Sequence, residues 1–200
     1  MKALVVDYKM GNLGSVRRSL EECGADVCLS EDPKDLSSAT HIILPGVGAF
    51  RDGMDNLEKQ GWIPPLKEAV QEGVPFLGIC LGMQLLAEKG YEGGEVAGLG
   101  LIPGEVKRLR SESSQERIPH VGWNEVHQTR ASRLLEGVAS GTDFYFVHSF
   151  SLIPSDTTME IGRTPYCGGF TSALMKDNVL ACNSILKKAP SRVFNCLGIS

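Results

Sequence analysis

Cys80 lies between two glycines, Gly78 and Gly82, at the junction of an apolar segment and a segment with helical spacing. A G-x-nucleophile-x-G pattern at such a junction is typical of a nucleophile elbow, a tight strand-to-helix turn with no room for neighbouring side chains. The start of the following helix favours a thiolate, which is the form of cysteine that attacks a carbonyl carbon. The pattern alone is equally compatible with a buried structural cysteine whose flanking glycines allow close packing.

A second candidate element is the loop Pro45-Gly46-Val47-Gly48, which follows the apolar run 42–44. If this run and the run before Cys80 are parallel strands, the loop and the cysteine emerge at the same carboxyl edge of the sheet. Small residues let backbone amides approach a ligand, so the loop can donate an N–H group to an oxyanion formed at Cys80. Taken by itself, the loop is also compatible with an ordinary glycine-rich turn.

The first half of the chain alternates short apolar runs with helical patterns. Buried strands are predicted at 3–7, 27–29, 41–44 and 75–79, and helices at 13–23, 50–60 and 65–72. Asn12 is a natural cap for the first helix. This alternation predicts an α/β fold, with a parallel sheet that carries helices on its faces.

The second half of the chain contains mostly strand patterns. Apolar or alternating runs bounded by turn residues occur at 104–109, 121–126, 143–150, 158–164, 170–175 and 178–182. They predict strands that extend or flank the sheet, some of them antiparallel, with one short helical pattern near 131–136. The glycine-rich segment 90–100 and the polar segment 111–117 predict surface loops.

Composition narrows the class of protein. A chain of 200 residues with 42% hydrophobic content predicts one globular domain over residues 1–200. A net charge of −4 with mixed signs offers no basic stripe, so neither a nucleic acid nor an acidic membrane is expected as a partner.

The N-terminal apolar run ends at Asp7, too early for a signal peptide, and the six cysteines fit a reduced, cytoplasmic protein. Cys23 and Cys28 have no second Cys or His pair nearby, so no zinc site is expected. No cofactor is expected either.

The elbow and the loop, taken with three further runs, resemble a known family. The three runs are Asp7 to Leu13 (D-Y-x-x-G-N-L), Pro119 to Asn124 (P-H-V-G-W-N) and Tyr145 to Phe150 (Y-F-V-H-S-F). Together the motifs are similar to the glutaminase subunits of imidazole glycerol phosphate synthase, a branch of the class I (triad) glutamine amidotransferases. The resemblance covers roughly residues 1–182. It implies a three-layer α/β sandwich with a mixed, mostly parallel sheet.

The resemblance implies a reaction centred on Cys80. The side-chain amide of glutamine would form a γ-glutamyl thioester with the thiol and release ammonia, and water would then release glutamate. Backbone amides of Val47 and Leu81 would face the oxyanion. The substrate and oxyanion site would comprise Gly46, Val47, Gly48, Leu81, Gln84, His148, Ser149 and Phe150.

The resemblance also implies a partner subunit. Free ammonia is mostly protonated in neutral water and is then a poor nucleophile, and the family delivers it through the core of a (β/α)₈-barrel synthase in histidine biosynthesis. The positions expected to face this heterodimer partner are Asn12, Trp123, Asn124 and Lys188. Trp123 is also compatible with a partly buried core aromatic.

The end of the chain departs from the family. A triad glutaminase needs a histidine that activates the thiol and an acid that orients it, and the family supplies both in a Q-F-H-P-E-K segment after a strand like 178–182. Here that segment reads N-S-I-L-K-K, so that Ile185 replaces the histidine and Lys187 the glutamate. None of the four histidines, His41, His120, His127 and His148, is a convincing replacement.

A one-nucleotide loss at the Cys182 codon would explain this departure. Residues 183–200 can be back-translated, with synonymous codons chosen to suit, so that one added C at the front changes the reading to Q-F-H-P-E-K-S-S-K-Q-G-F-Q-L-L-R-N-F. That is the family's motif followed by an amphipathic helix. Because the protein largely fixes the first two bases of each codon, such agreement argues against chance. We therefore hypothesise a frameshift in the gene or in its recorded sequence.

Three functions remain open from the sequence. The first is a glutaminase subunit that is active in its intact frame. The second takes the sequence literally, as a non-catalytic subunit that still docks on the synthase. The third is an unrelated protein with a cysteine elbow, such as a thiol hydrolase or a redox sensor. Glutamine turnover separates the first from the second, and binding to a barrel synthase separates both from the third.

Overall fold

A computed structural model of the chain describes residues 2–184. The expectations for Ile185, Lys187 and Lys188 lie outside the described residues, as does the rest of the segment that departs from the family. Within residues 2–184, no helix is long and apolar enough to cross a membrane.

Thirteen strands form two sheets in the described part of the chain. They are β1 (Lys2–Val6), β2 (Asp26–Ser30), β3 (His41–Leu44), β4 (Phe76–Ile79), β5 (Ala87–Gly90), β6 (Val96–Ala97), β7 (Ile102–Arg108), β8 (His120–Gln128), β9 (Thr142–His148), β10 (Phe150–Pro154), β11 (Glu160–Thr164), β12 (Phe170–Lys176) and β13 (Val179–Cys182). The central sheet has nine strands in the order β2-β1-β3-β4-β13-β12-β11-β8-β9. Its first five strands run parallel, and the remaining pairs are antiparallel, which gives the predicted mixed sheet.

Helices lie on both faces of the central sheet. They are α1 (Leu13–Glu22), α2 (Phe50–Lys59), α3 (Ile63–Gln71) and α4 (Leu81–Leu85). Side chains alternate across a strand, so Leu4 and Val6 of β1 pack into the core under α2 and α3, whereas Ala3 and Val5 pack against α1. The result is the three-layer α/β sandwich that the sequence predicts.

The amino end of α1 forms as its sequence predicts. The side chain of Asn12 accepts a hydrogen bond from the backbone N–H of Ser15 at 3.3 Å, which satisfies one of the free donors of the first turn. The helix ends at Glu22, and Gly24 follows with a φ of +84°. The hydrogen bond between Asn12 and Ser15 fixes Asn12 at the start of α1, in the loop that follows the carboxyl end of β1.

The second sheet was not predicted in full. It has the order β10-β7-β5-β6 and packs against the central core through Ile102, Val106 and Leu152. Part of β5 and all of β6 fall within 90–100, where a surface loop was expected, and β10 follows β9 after a single residue. The first difference arises because strands of four and two residues, β5 and β6, are too short to give a periodic signal and depend on their partners for pairing.

Two backbone segments approach each other closely where β4 meets α4. A Cβ atom added to Gly82 would lie 1.7 Å from the carbonyl oxygen of Leu44, and one added to Gly78 would lie 2.8 Å from the carbonyl oxygen of Gly82. No side chain fits at either place, because backbone atoms cannot withdraw as the end of a flexible side chain can. The glycines flanking Cys80 are therefore required by the fold itself.

Gly82→Ala should lower the free energy of unfolding by about 3 kcal/mol or more, at the upper end of the range for overpacking. The matched control is Gly14→Ala in α1, where an added Cβ would meet nothing within 4 Å and should stabilise the helix by up to about 1 kcal/mol. Urea unfolding of both variants measures the difference. Equal stability of the two variants would contradict the close approach at Gly82.

Candidate active site

Cys80 occupies a strained turn between β4 and α4. Its φ and ψ are 55° and −114°, outside the usual regions for a residue with a side chain. Such a conformation costs about 1–3 kcal/mol and persists only where surrounding structure holds it. Here the Cys80 N–H donates to the carbonyl oxygen of Cys182 on β13 at 2.9 Å. The geometry is that of the elbow which the sequence pattern predicts.

The loop after β3 lies beside this turn, as predicted from the parallel strands. The register pairs Leu44 of β3 with Gly78 of β4, so both strands end at the same edge. The carbonyl oxygen of Gly46 accepts a hydrogen bond from the Leu81 N–H at 3.3 Å. Gly48 has a φ of +115°, which favours glycine. The Leu81 amide is thus engaged by the loop in this structure, and the oxyanion roles of Val47 and Leu81 stay predictions.

A cavity of about 260 Å³ opens beside Cys80. Its walls come from the end of β1 and α1 (Asn12, Ser15, Val16), from the loop (Pro45, Gly46, Val47), and from β9 and the end of β13 (Tyr145, Val147, Asn183, Ser184). Because the carboxyl ends of four parallel strands or their loops contribute, the cavity lies where α/β sheets usually bind ligands.

The described residues around Cys80 do not activate its thiol. Burial raises its pKa, and a hydrogen bond from the Leu81 amide lowers it by less. A buried thiol of this kind stays protonated at neutral pH and needs a base to become a nucleophile. Within residues 2–184, no histidine hydrogen-bonds to the Cys80 sulfur, and His41 begins β3 at the opposite edge of the sheet.

Gln84 connects α4 to the second sheet. It is buried, and its Nε2 donates to the carbonyl oxygen of Phe150 at 3.1 Å. The carbonyl oxygen of neighbouring Ser149 accepts from the Leu109 N–H at 2.9 Å. The structure therefore brings Gln84 together with Ser149 and Phe150 near the cysteine turn, and the carbonyl groups of both Ser149 and Phe150 accept hydrogen bonds from protein groups.

His148 belongs to a buried cluster that the sequence did not reveal. Its Nδ1 lies 2.9 Å from the carbonyl oxygen of Phe150, and its Nε2 lies 3.1 Å from Nδ1 of His120. The side-chain amide nitrogen of Asn183, directly after β13, lies 3.0 Å from Nδ1 of His148. The β8–β9 hairpin thus curls back to the end of β13, so that residues far apart along the sheet meet at the cavity wall.

Both histidines of the cluster are held neutral. The pKa of His120 is lowered to about 4. Burial is the larger cause, and repulsion from a protonated His148 is the smaller one. Burial also lowers the pKa of His148. The hydrogen bond with the Phe150 carbonyl raises this pKa, but by less. The ring of His120 stacks on Tyr166 with centroids 3.9 Å apart. A protonated imidazole would have to be desolvated among these rings.

The outer face of the β8–β9 hairpin exposes large apolar side chains. Val121 and Val147 are 56% exposed and Trp123 is 48% exposed, and the Trp123 ring contacts Tyr145 at 5.4 Å between centroids. Val47 of the loop is also 56% exposed. The alternative of Trp123 as a core aromatic therefore does not hold.

Asn124 does not share this face of the hairpin. Its Nδ2 lies 3.5 Å from Nε2 of His120, on the inner side of the hairpin. Neighbouring residues of a strand point to opposite faces, and the role of Asn124 at a partner interface stays a prediction. Asn12, by contrast, is exposed at the rim of the cavity.

Sequence reasoning missed several residues of the site. Asn183 and Ser184 line the cavity although they were assigned only to the departing segment. His120 was seen as a neighbour of the G-W-N run, without its contact to His148. Tyr8 follows β1 and is completely buried beside the loop. Its place in the D-Y-x-x-G-N-L run at a carboxyl strand edge is the one signal that could have found it.

The fold and the cysteine turn define a class I glutamine amidotransferase. The family model described as "Glutamine amidotransferase class-I" matches residues 4–177. Solved structures agree in fold: a crystal structure of a glutamine amidotransferase has a TM-score of 0.71 at 18% identity, covering 91% of this chain and 89% of its own. PurLQS from Thermotoga maritima has a TM-score of 0.70 at 19% identity, covering 93% and 86%.

Curated relatives identify the branch. The imidazole glycerol phosphate synthase subunit HisH of Moorella thermoacetica is 43% identical over 188 residues, covering 94% of this chain and 88% of that protein. The HisH subunit of Aquifex aeolicus is 44% identical, covering 90% and 86%. The chain belongs to the HisH family of class I glutamine amidotransferases. The third reading, an unrelated protein with a cysteine elbow, is thereby excluded.

His120→Phe should reduce the loss of stability on acidification. Because the pKa of His120 is lowered to about 4 in the folded chain, the unfolded chain binds a proton first as pH falls below about 6.5. The contribution of neutral His120 to the free energy of unfolding is complete above that pH and is lost as pH falls towards 4. The loss is about 2 kcal/mol at pH 5. Phenylalanine keeps the ring stacking and removes this titration.

Urea unfolding at pH 7 and pH 5 measures the effect. Phe146→Leu is the control, because it disturbs the same stack of rings without removing a titratable group. If His120→Phe lost as much unfolding free energy between pH 7 and pH 5 as the unreplaced chain does, His120 would not be neutral and buried.

Proposed function

We propose that the chain, in its intact reading frame, is the glutaminase subunit of an imidazole glycerol phosphate synthase in histidine biosynthesis. It would hydrolyse glutamine to glutamate and ammonia through a thioester at Cys80. The observation that carries this proposal is the strained Cys80 turn, which opens on a cavity beside the Gly46–Gly48 loop. Membership of the HisH family supports it. We further propose that residues 1–200 act as one cytoplasmic domain without cofactor.

The chemistry at Cys80 proceeds in two stages, which are formation of a thioester and its hydrolysis. The thiol loses its proton to a base, and the sulfur attacks the side-chain carbonyl carbon of glutamine. The C–N bond breaks as the nitrogen takes up a proton and leaves as ammonia. Water then attacks the thioester, the C–S bond breaks, and glutamate and the free thiol result. Gln84, with the backbone of His148 to Phe150, would hold the substrate during these steps.

Stabilisation of the oxyanion requires a change in the loop. The N–H of Leu81 already donates to the carbonyl oxygen of Gly46, so that hydrogen bond must open before the same N–H can bind an oxyanion. The neighbouring Val47 N–H would supply the second donor. Two such donors aimed at developing charge are worth several kcal/mol in acyl transfer.

A barrel synthase would dock on the apolar outer face of the hairpin. Val47 and Val147 line the cavity and are exposed, and Val121 and Trp123 continue the same surface. Large aromatic side chains with apolar neighbours are typical anchors of protein interfaces. A partner on this face would cover the cavity mouth, so that ammonia could leave Cys80 into the partner without meeting water. Asn12 at the rim, and Lys188 beyond the described residues, are the proposed polar contacts.

Trp123→Ala should weaken binding to the barrel synthase by about 2–4 kcal/mol, the range for an aromatic anchor at an interface centre. Ile153→Ala is the matched control, because Ile153 is 49% exposed on the second sheet, away from the hairpin. Titration calorimetry with the purified synthase measures both variants. A larger loss in the Ile153 variant would place the interface elsewhere.

Glutaminase activity should depend on the reading frame at the Cys182 codon. Residues 183–200 as written contain neither histidine nor glutamate, and loss of a triad base lowers turnover by up to about a millionfold. We expect almost no glutamate release from the chain as written. Insertion of one nucleotide, which restores the H-P-E segment, should recover activity.

The assay measures glutamate release from both chains with the synthase and its ligand present. Full activity of the chain as written would show that the histidine and glutamate missing from residues 183–200 are not needed. No activity in the repaired chain would remove the frameshift hypothesis and favour a docking subunit. Sequencing the DNA across the codon is an independent check.

A further inference from the structure

Two buried histidines lie in a row of hydrogen bonds that begins at Asn124 and ends at the Phe150 carbonyl, here called the histidine network. Nε2 of His120 lies 3.5 Å from the side-chain nitrogen of Asn124, and Nδ1 of His120 lies 3.1 Å from Nε2 of His148. Nδ1 of His148 lies 2.9 Å from the carbonyl oxygen of Phe150. A neutral imidazole has one N–H group and one lone pair, so each contact requires a particular position of the proton.

The Phe150 carbonyl determines the proton position at one end of the network. A carbonyl oxygen only accepts hydrogen bonds, so Nδ1 of His148, at 2.9 Å, must carry the proton. The lone pair of this neutral ring is then on Nε2. Because that lone pair faces Nδ1 of His120, the proton of His120 must also lie on its Nδ1.

The Asn124 amide leads independently to the same assignment. Its oxygen accepts a hydrogen bond from the Glu125 N–H at 2.9 Å, which identifies the amide atom next to His120 as the nitrogen. An N–H group can face Nε2 of His120 only if that nitrogen is unprotonated. The two ends of the network therefore agree on the Nδ1–H tautomer for both rings.

This assignment also determines the orientation of Asn183 at the wall of the Cys80 cavity. The side-chain nitrogen of Asn183 lies 3.0 Å from Nδ1 of His148, and its side-chain oxygen has no partner within the described residues. The oxygen and nitrogen of an amide are told apart by their partners, and a protonated Nδ1 selects the oxygen. We therefore expect the amide of Asn183 to be turned by half a rotation, so that its oxygen accepts from His148.

The network ends on the helix that follows the cysteine turn. The Phe150 carbonyl also accepts from Nε2 of Gln84 at 3.1 Å, so both of its lone pairs are used. The backbone N–H of Gln84 donates to the carbonyl oxygen of Cys80 at 3.2 Å. Gln84 is thus held by Phe150 at its side chain and by the cysteine turn at its backbone. The first of these contacts depends on where His148 holds the Phe150 carbonyl.

We propose that His120 is a positioning residue for the glutaminase reaction, whose Nδ1–H keeps His148 in the tautomer that holds the Phe150 carbonyl, and with it Gln84, in place. This inference rests on the proposed role of Gln84 and of the backbone of His148 to Phe150 in holding glutamine. His120 does not line the Cys80 cavity. Loss of its Nδ1–H should therefore weaken glutamine binding and leave the bond changes at Cys80 unaltered.

Ring 15N NMR of the chain as written, at pH 8, tests the proton positions. Both His120 and His148 should show a protonated Nδ1 and an unprotonated Nε2. His127 is the internal comparison, because its Nε2 lies 3.1 Å from a carboxylate oxygen of Glu125 and should carry the proton. A protonated Nε2 in His120 or in His148 would overturn the proposal, and this measurement does not require a variant to fold.

Two variants separate the Nδ1–H of His120 from its ring. The amide nitrogen of asparagine can take the place of Nδ1, whereas that of glutamine takes the place of Nε2, so only His120→Asn keeps the donor. Both variants lose the stacking on Tyr166. In the repaired chain, with the synthase and its ligand present, His120→Gln should have a KM for glutamine about fivefold above that of His120→Asn, the effect of one neutral hydrogen bond. Their kcat values should be equal.

Equal KM values for the two variants, or a difference confined to kcat, would overturn the role of His120. Absence of glutamate release from the unreplaced, repaired chain would instead refute the proposed function. The histidine network precedes residue 183 and is identical in the chain as written and the repaired chain. The NMR measurement therefore decides the tautomers whether or not the proposed function holds.

Discussion

The contact between the Gly82 backbone and the Leu44 carbonyl determines the geometry of the whole site. It allows α4 to begin directly above the ends of β3 and β4, at a distance that no side chain would permit. The positive φ of Cys80 is the consequence, and hydrogen bonds to Cys182 and Gly46 hold the turn on both sides. The strain is local, but three parallel strands share in restraining it. The position of the sulfur is therefore set by backbone, before any side chain contributes.

The same arrangement explains why the segment after β13 matters for the chemistry. β13 lies next to β4, and its last carbonyl group binds the Cys80 N–H, so the chain leaving β13 passes beside the thiol. Asn183 and Ser184 already line the cavity. Burial favours the protonated thiol, and a base is most easily placed by the segment that leaves the sheet next to it. A changed reading frame there alters the chemistry without altering the sheet.

The sequence predicted elements whose signals are local and periodic. Strands β1, β3 and β4 and helices α1 to α3 follow from apolar runs and amphipathic spacing, and the shared edge of Cys80 and Gly46 follows from parallel strands. The second sheet was only partly predictable, because β5 and β6 have only four and two residues. The contact between His120 and His148 depends on the curl of the hairpin, which no spacing along the chain records. The motif that contains Trp123 and Asn124 also does not record that the strand directs these two side chains to opposite faces.

The β8–β9 hairpin presents different chemistry on its two faces. Alternation places Trp123 and Val147 outside, while His120 and His148 lie inside among aromatic rings. The inner face is joined to Asn183 and, through the Phe150 carbonyl, to Gln84 on α4. Charged histidines would be expelled from this interior, so the neutral pair keeps the hairpin in place against the cavity at neutral pH. A surface suited to a partner is thus held in register with the cysteine turn by hydrogen bonds between neutral buried groups, which solvent ions screen little.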